Sequence, residues 1–148
     1  MGSEVSSTRG NIIPSVRYHD APAAIEWLCN VFGFEKNLVV PGEEGKIIHA
    51  QLVLGNGMLM LGSGGGHGGP FDELVAPASD RDAVRAQSVY IVVDDIDGHY
   101  ERAIAGGAGI VIENQDADYG GRGYTCRDLE GNVWSFGSYD PWAEVDAS

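Results

Sequence analysis

Apolar residues along this chain keep two rhythms, and each change of rhythm marks an element. Alternation at every second position belongs to a strand with one buried face. It predicts strands over residues 11–18, 35–40, 46–54 and 58–61, and again over 88–93, 109–113, 122–127 and 133–137. A period of three to four takes over twice. Ala23, Ala24, Trp27, Leu28 and Val31 predict a helix from residue 21 to 31 or 32. Asp20 caps it, Pro22 sits in a first turn that has no use for its missing N–H, and Gly33 stops it. Ile96, Tyr100, Ala103 and Ile104 predict a second helix, capped by Asp94-Asp95 and ended by Gly106-Gly107. Gly55-Asn56-Gly57 reads as a hairpin turn. So does the acidic stretch with Asp128, Glu130, Gly131 and Asn132, whose side chains bond their own backbone. Residues 114–118 read as a polar loop, and 63–87 hold no clear period beyond one helical turn.

The order is β-α-β-β-β, twice over. Gly137-Ser138 repeats Gly62-Ser63 at an offset of 75 residues. The same offset carries residues 16–18 onto 91–93 and Asp20 onto Asp95. One offset that fits the start and the end of both halves predicts an internal duplication. The expected layout is a single α+β domain over 11–138: module one over 11–62, a linker over 63–87 and module two over 88–138. Residues 1–10 read as a disordered leader or tag remnant, and 139–148 as a C-terminal tail.

Composition narrows the functions. The 148 residues are 43% hydrophobic, with no apolar run long enough to span a bilayer. The formal net charge is −13, with a pI near 4.4. Such a surface repels nucleic acid and anionic membrane and draws in cations. Two cysteines, Cys29 and Cys126, are too few for a disulfide framework and read as reduced thiols of a cytoplasmic protein. The run SGGGHGG lacks the Lys-Ser/Thr and the strand-to-helix setting of a phosphate loop.

The twin βαβββ pattern, the run VDDIDGHYERAIAGGA and the ending YGGRGYTCRDLEGNVWSFG together resemble the vicinal oxygen chelate superfamily. That group includes glyoxalase I, extradiol dioxygenases, fosfomycin-modifying enzymes and bleomycin-resistance proteins. The resemblance implies two curved sheets around a cleft, helices outside, and a homodimer as the common assembly.

Strand alternation then sorts faces. Leu59, Leu61, Trp134 and Phe136 are expected under the helices, with Ala50, Leu52 and Leu54. The cleft is expected to receive Ile13, Ser15, Arg17, His49, Gln51, Met58, Met60, Ser88, Tyr90, Val92, Val133 and Ser135. Carrying His49 and Gln51 across the offset adds Tyr124 and Cys126, and the same parity adds Arg122. By the resemblance, the metal-ligand positions of the family fall on Ile13, Met60, Ser88 and Ser135. Isoleucine has no donor atom, thioether suits soft metals, and neutral hydroxyls hold divalent cations poorly. The implied protein has no metal and no other cofactor.

The remaining polar candidates each have a plain structural alternative. His19 and His99 read as solvated, and His67 lies in the glycine run. His49 is the one histidine expected in the cleft, as a ligand contact or as a general base. Cys126 reads as a buried inert thiol sooner than a nucleophile. Arg17 and Arg122 would clamp an anionic group, or else pair with acidic residues such as Asp116, Asp118 or Asp128. The expected ligand-binding set is Arg17, His49, Gln51, Met58, Met60, Tyr90, Arg122 and Tyr124. The expected function is a metal-free small-molecule-binding protein that sequesters a cationic drug. The competing class is a glyoxalase-like lyase or dioxygenase, using an unrecognised metal or a metal-independent route through His49. A third is a regulatory or scaffold module with a vestigial cleft.

Overall fold

The computed structural model describes residues 10–65 and 69–146. The expected leader, save Gly10, and His67 lie outside the described residues. The chain forms two compact units that part between Ser79 and Asp80. Each unit is α+β and carries one four-stranded mixed sheet.

In the first unit, strands β1 (Ser15–Tyr18), β2 (Glu35–Pro41), β3 (Ile47–Leu54) and β4 (Gly57–Ser63) lie in the order β1-β4-β3-β2. β1 runs parallel to β4, and the other two pairings are antiparallel. Helix α1 (Ala21–Trp27) returns the chain between β1 and β2 and packs on β1, β3 and β4. Asp20 caps it by accepting from the Ala23 N–H at 3.1 Å. The helix widens into a π-turn over Leu28–Phe32 and stops at Gly33, whose φ is 94°. Beneath it Ala50, Leu52, Leu59 and Leu61 are buried, as are Leu28 and Phe32 of the π-turn. Each such side chain removed from water contributes roughly 1.5–3 kcal/mol.

β1 is shorter than the alternation over 11–18 predicts. Pro14 has no N–H to offer a ladder, so the strand proper starts at Ser15, although the Pro14 carbonyl still accepts from Met60 N–H at 2.9 Å. The helical turn expected beyond β4 is α2 (Pro70–Leu74).

The second unit repeats the plan with β5 (Val89–Val92), α3 (Ile96–Ala105), β6 (Gly109–Asp116), β7 (Arg122–Arg127) and β8 (Val133–Gly137), in the order β5-β8-β7-β6. A short helix α4 (Pro141–Asp146) stands where the sequence suggests only a tail. β6 runs on through residues read as a loop, because Gln115 and Asp116 pair with Gly123 and Arg122 across two register shifts. An exposed edge strand tolerates such polar residues on its solvent side. Trp134, Phe136, Tyr124 and Cys126 make its core, together with Ile96 and Ala103 of α3.

The two hairpins differ by one residue, and the consequence is large. In the first unit Leu54 pairs with Gly57, leaving Gly55-Asn56 as a two-residue turn. In the second, Asp128 N–H bonds the Asn132 carbonyl at 2.9 Å, leaving the three residues Leu129, Glu130 and Gly131. Gly131 takes a φ of 90°, the left-handed residue that closes a three-residue hairpin loop. Side chains alternate with period two, so one added turn residue reverses the faces of the strand before it. Leu61 of the first unit pairs with Ala50, whereas Phe136, its repeat, pairs with Tyr124. The offset is therefore 75 for β8 and 74 for β7.

Candidate functional site

That slip corrects the expected faces. Tyr124 and Cys126 are buried with the core, 2% and 0% exposed, although Tyr124 is also among the residues that line a concavity on this sheet. Tyr124 stacks on Phe136 with ring centroids 5.3 Å apart, and its hydroxyl lies 2.7 Å from His99 Nδ1. His99 is thus half-buried against the sheet, its ring 4.3 Å from Phe136, and not simply solvated. Burial raises the Tyr124 hydroxyl far above its ordinary pKa. Burial first, then the Asp128 carboxylate, pushes the Cys126 thiol up to about 12. A thiol in that state is not a nucleophile at neutral pH.

Arg122 also stands on the helix side. Its Nε donates to Asp97 Oδ1 of α3 at 3.1 Å and its Nη1 to Asp116 Oδ1 at 2.8 Å. These bonds raise the guanidinium pKa further, Asp116 first and Asp97 second. The structural alternative named Asp116 correctly but missed Asp97, which a helix-first-turn position brings within reach.

The face opposite the helix in the first unit carries Arg17, His49, Gln51, Met58 and Met60, as their register requires. Gln51 Nε2 donates to His49 Nε2 at 3.1 Å, which leaves that ring nitrogen an acceptor. His19, by contrast, is exposed and donates through Nε2 to the Ala78 carbonyl at 3.0 Å.

The corresponding open face of the second unit holds a concavity of about 600 Å³. Gly123, Thr125 and Ser135 line it, small residues that leave room above the sheet. Thr125 Oγ1 and Ser135 Oγ sit 2.8 Å apart across the β7–β8 ladder. Tyr90, Tyr119 and Ile112 supply apolar walls, and Asp116 at the end of β6 and Asp118 in the turn after it stand at one side. Tyr90 donates its hydroxyl to the Tyr139 carbonyl at 2.6 Å, and Tyr119 packs edge-on against Tyr139 at 4.9 Å. Burial, then the Tyr119 and Asp140 side chains, raises the Tyr90 pKa, so the phenol stays neutral. Parity puts Tyr90 on this face, but it does not reach Tyr119, Asp118 or Tyr139. Their signal was the turn-rich YGG run, which places a tyrosine beside the sheet without any strand period to reveal it.

The family's metal positions can be judged on these atoms. Ile13 lies before β1, and Ser88 precedes β5. Met60 offers a thioether, and the Ser135 hydroxyl is already engaged with Thr125. Among the described residues, no group of three or more His, Cys, Asp and Glu is arranged to hold an ion. The donor set at these positions does not fit a divalent cation.

Comparison with known proteins follows the same lines. The sequence profile of the Glyoxalase/Bleomycin resistance protein/Dioxygenase superfamily matches residues 13–136. TioX from Micromonospora sp. ML1 superposes with a TM-score of 0.66 at 36% identity, over 84% of this chain and 94% of that one. TnmS3, an antibiotic binding protein from Streptomyces sp. CB03234, gives a TM-score of 0.64 over 92% of this chain and 98% of its own. Its 20% identity speaks to the fold alone. The uncharacterized protein Mb0911c of Mycobacterium bovis (strain ATCC BAA-935 / AF2122/97) is 28% identical over 146 residues, 92% of this chain and 89% of that protein. No helix among the described residues is long and apolar enough to cross a membrane.

Proposed function

Because the chain belongs to the Glyoxalase/Bleomycin resistance protein/Dioxygenase superfamily, we propose that it is a metal-free binding protein that sequesters a planar, cationic small molecule such as a drug. The observation that carries this reading is the make-up of the second unit's concavity. Tyr90 and Tyr119 line it together with Asp118 and with Asp116, whose carboxylate also accepts from Arg122, over a floor of small residues. Flat apolar walls accept a ring system, and the negative edge attracts its charge. The net charge of −13 extends that attraction beyond the site. His49, Gln51, Met58 and Met60 give the first unit an open face of similar character, with methionines that adapt to irregular shapes. TnmS3, which shares the fold, is itself an antibiotic binding protein.

Proflavine, a planar cation near neutral pH, and acridine, its neutral relative at pH 8, separate the contributions. Proflavine should raise the melting temperature in metal-free buffer, and salt should weaken its binding. Tyr119→Ala should weaken it by about tenfold, in line with a cation–π and stacking contact. Equal binding of acridine and proflavine at low salt would remove the charge argument. Stabilisation that appears only with an added divalent metal would favour the lyase or dioxygenase class instead.

The same reading makes the working form a cytoplasmic homodimer. Cys29 and Cys126 form no disulfide among the described residues, and strands β2 and β6 leave Leu38, Val40, Val111 and Ile112 exposed along sheet edges. Light scattering on the native protein tests this, and a monomer at micromolar concentration removes the dimer.

A further inference from the structure

A second candidate site lies in the first unit, on residues that do not line the second unit's concavity. Arg17 stands on the open face of β1, level with Gly62 of β4. The missing side chain at Gly62 is what admits it: a Cβ there would collide with Arg17 Nη1. The guanidinium therefore lies over the sheet, with its side chain only 2% exposed. Phe71 of α2 covers it, with the guanidinium carbon 4.8 Å from the ring centroid. Yet Nε and Nη2 have no hydrogen-bond partner among the described residues. Those two nitrogens form one edge of the guanidinium, the fork that grips both oxygens of a carboxylate side by side. Asp72 Oδ1 stands off that edge, 3.9 Å from Nη2, near enough to balance charge but too far to hydrogen-bond.

A buried donor left unmade is costly, and a charged one more so. Two adjacent orphaned donors on one buried fork are therefore the mark of a partner that arrives from outside. Asp72 shows which chemistry the place accepts. We propose that the Nε–Nη2 edge of Arg17 binds the carboxylate of a small-molecule ligand, with Asp72 held opposite as a stand-in that the ligand displaces. Helix α2, which carries both Phe71 and Asp72, has five residues, none of them buried, so moving it disrupts little core. The Phe71 ring stays available as a flat lid over the pair. The site goes beyond the proposed function, and its test is read at Arg17 and not at the tyrosine-lined concavity.

The test uses the full chain and three probes: benzoate, benzamide and phenyl phosphate. Benzamide has the shape of benzoate without its charge. Binding is followed by calorimetry and by the Arg17 Nε–H resonance. Benzoate should bind at least about tenfold more tightly than benzamide, as expected for a charge-assisted fork, and should move the Nε–H signal downfield. Asp72→Asn should tighten benzoate by about threefold or more by removing the competing charge. Arg17→Lys should abolish the preference for benzoate over benzamide. If Arg17→Lys fails to fold, the Asp72→Asn result and the resonance still decide. Equal binding of benzoate and benzamide, or benzoate affinity indifferent to Asp72→Asn, overturns the proposal. A response to phenyl phosphate without one to benzoate overturns the carboxylate assignment. Proflavine binding unchanged in Asp72→Asn would show that the two sites stand or fall separately.

Discussion

The carboxylate of Asp128 should be worth more to the second unit than any other single polar group in it. The side chain is 4% exposed and lies at the start of the β7–β8 turn. Its Oδ1 accepts from the Glu130 N–H at 2.9 Å and the Asn132 N–H at 3.0 Å. Its Oδ2 accepts from Trp134 Nε1 at 3.0 Å, inside the core. In Asp128→Ala the two turn N–H groups regain water, at about 0.5–1.5 kcal/mol each. The indole N–H cannot, because Trp134 is 1% exposed. An orphaned buried donor costs roughly 1–3 kcal/mol, so the variant should lose about 3–4 kcal/mol in all. Trp134→Phe deletes that donor. In its background Asp128→Ala should therefore cost only about 1.5–2 kcal/mol, the share of the turn bonds. Urea unfolding followed by far-ultraviolet circular dichroism measures all four corners of the cycle, and hydrogen exchange on residues 122–138 localises the loss. Additive effects, within about 0.5 kcal/mol, would refute the claim that Asp128 ties the turn to the core through Trp134.

Three further outcomes follow from the same contacts. Cys126 is held protonated in the folded state, so only the unfolded chain ionises it as pH rises past the ordinary thiol value of 9.0, and stability falls from there toward about 12. Urea midpoints taken across that range should decline in the native protein and decline less in Cys126→Ala, with the buried Tyr124 hydroxyl adding loss of the same sign at higher pH. Arg122→Gln should strengthen proflavine binding by about twofold to threefold, because it removes the positive charge bonded to Asp116, one of the residues lining the concavity; weaker binding in calorimetry would place Arg122 among the ligand contacts after all. Deleting Glu130 restores a two-residue turn and turns Tyr124 and Cys126 outward, so hydrogen exchange should show the second unit's amides losing protection while the first unit's remain.

Much of this architecture was legible because burial repeats with the period of each element. Trp134 and Phe136 are buried, Phe136 against His99 of α3, and Leu59 and Leu61 lie under α1, where alternation alone puts them. Asp20 and Asp95 both cap helices through their side chains, as their matching places in the repeat require. What alternation could not supply was the count of residues in a turn. DLEGN announces a turn of some kind, but its length depends on which backbone groups bond, and that decides the face of every residue from Arg122 to Cys126. Arg122 paired with Asp97 and Asp116 for a related reason: the partners of a charged side chain come from whichever element crosses nearby, and Asp97 sits on a helix 25 residues upstream.

The same single residue accounts for the difference between the two open faces. With a two-residue turn, β3 presents His49 and Gln51 outward, two polar groups large enough to bond each other over the sheet. With a three-residue turn, β7 turns Tyr124 and Cys126 inward and presents Gly123 and Thr125 in their place. The second sheet thereby gains a buried aromatic core and loses bulk on its outer side in one step. The depth of the tyrosine-lined concavity is thus a by-product of packing Tyr124 against Phe136. A substitution that refilled it, such as Thr125→Trp, would leave that core contact in place and still close the floor.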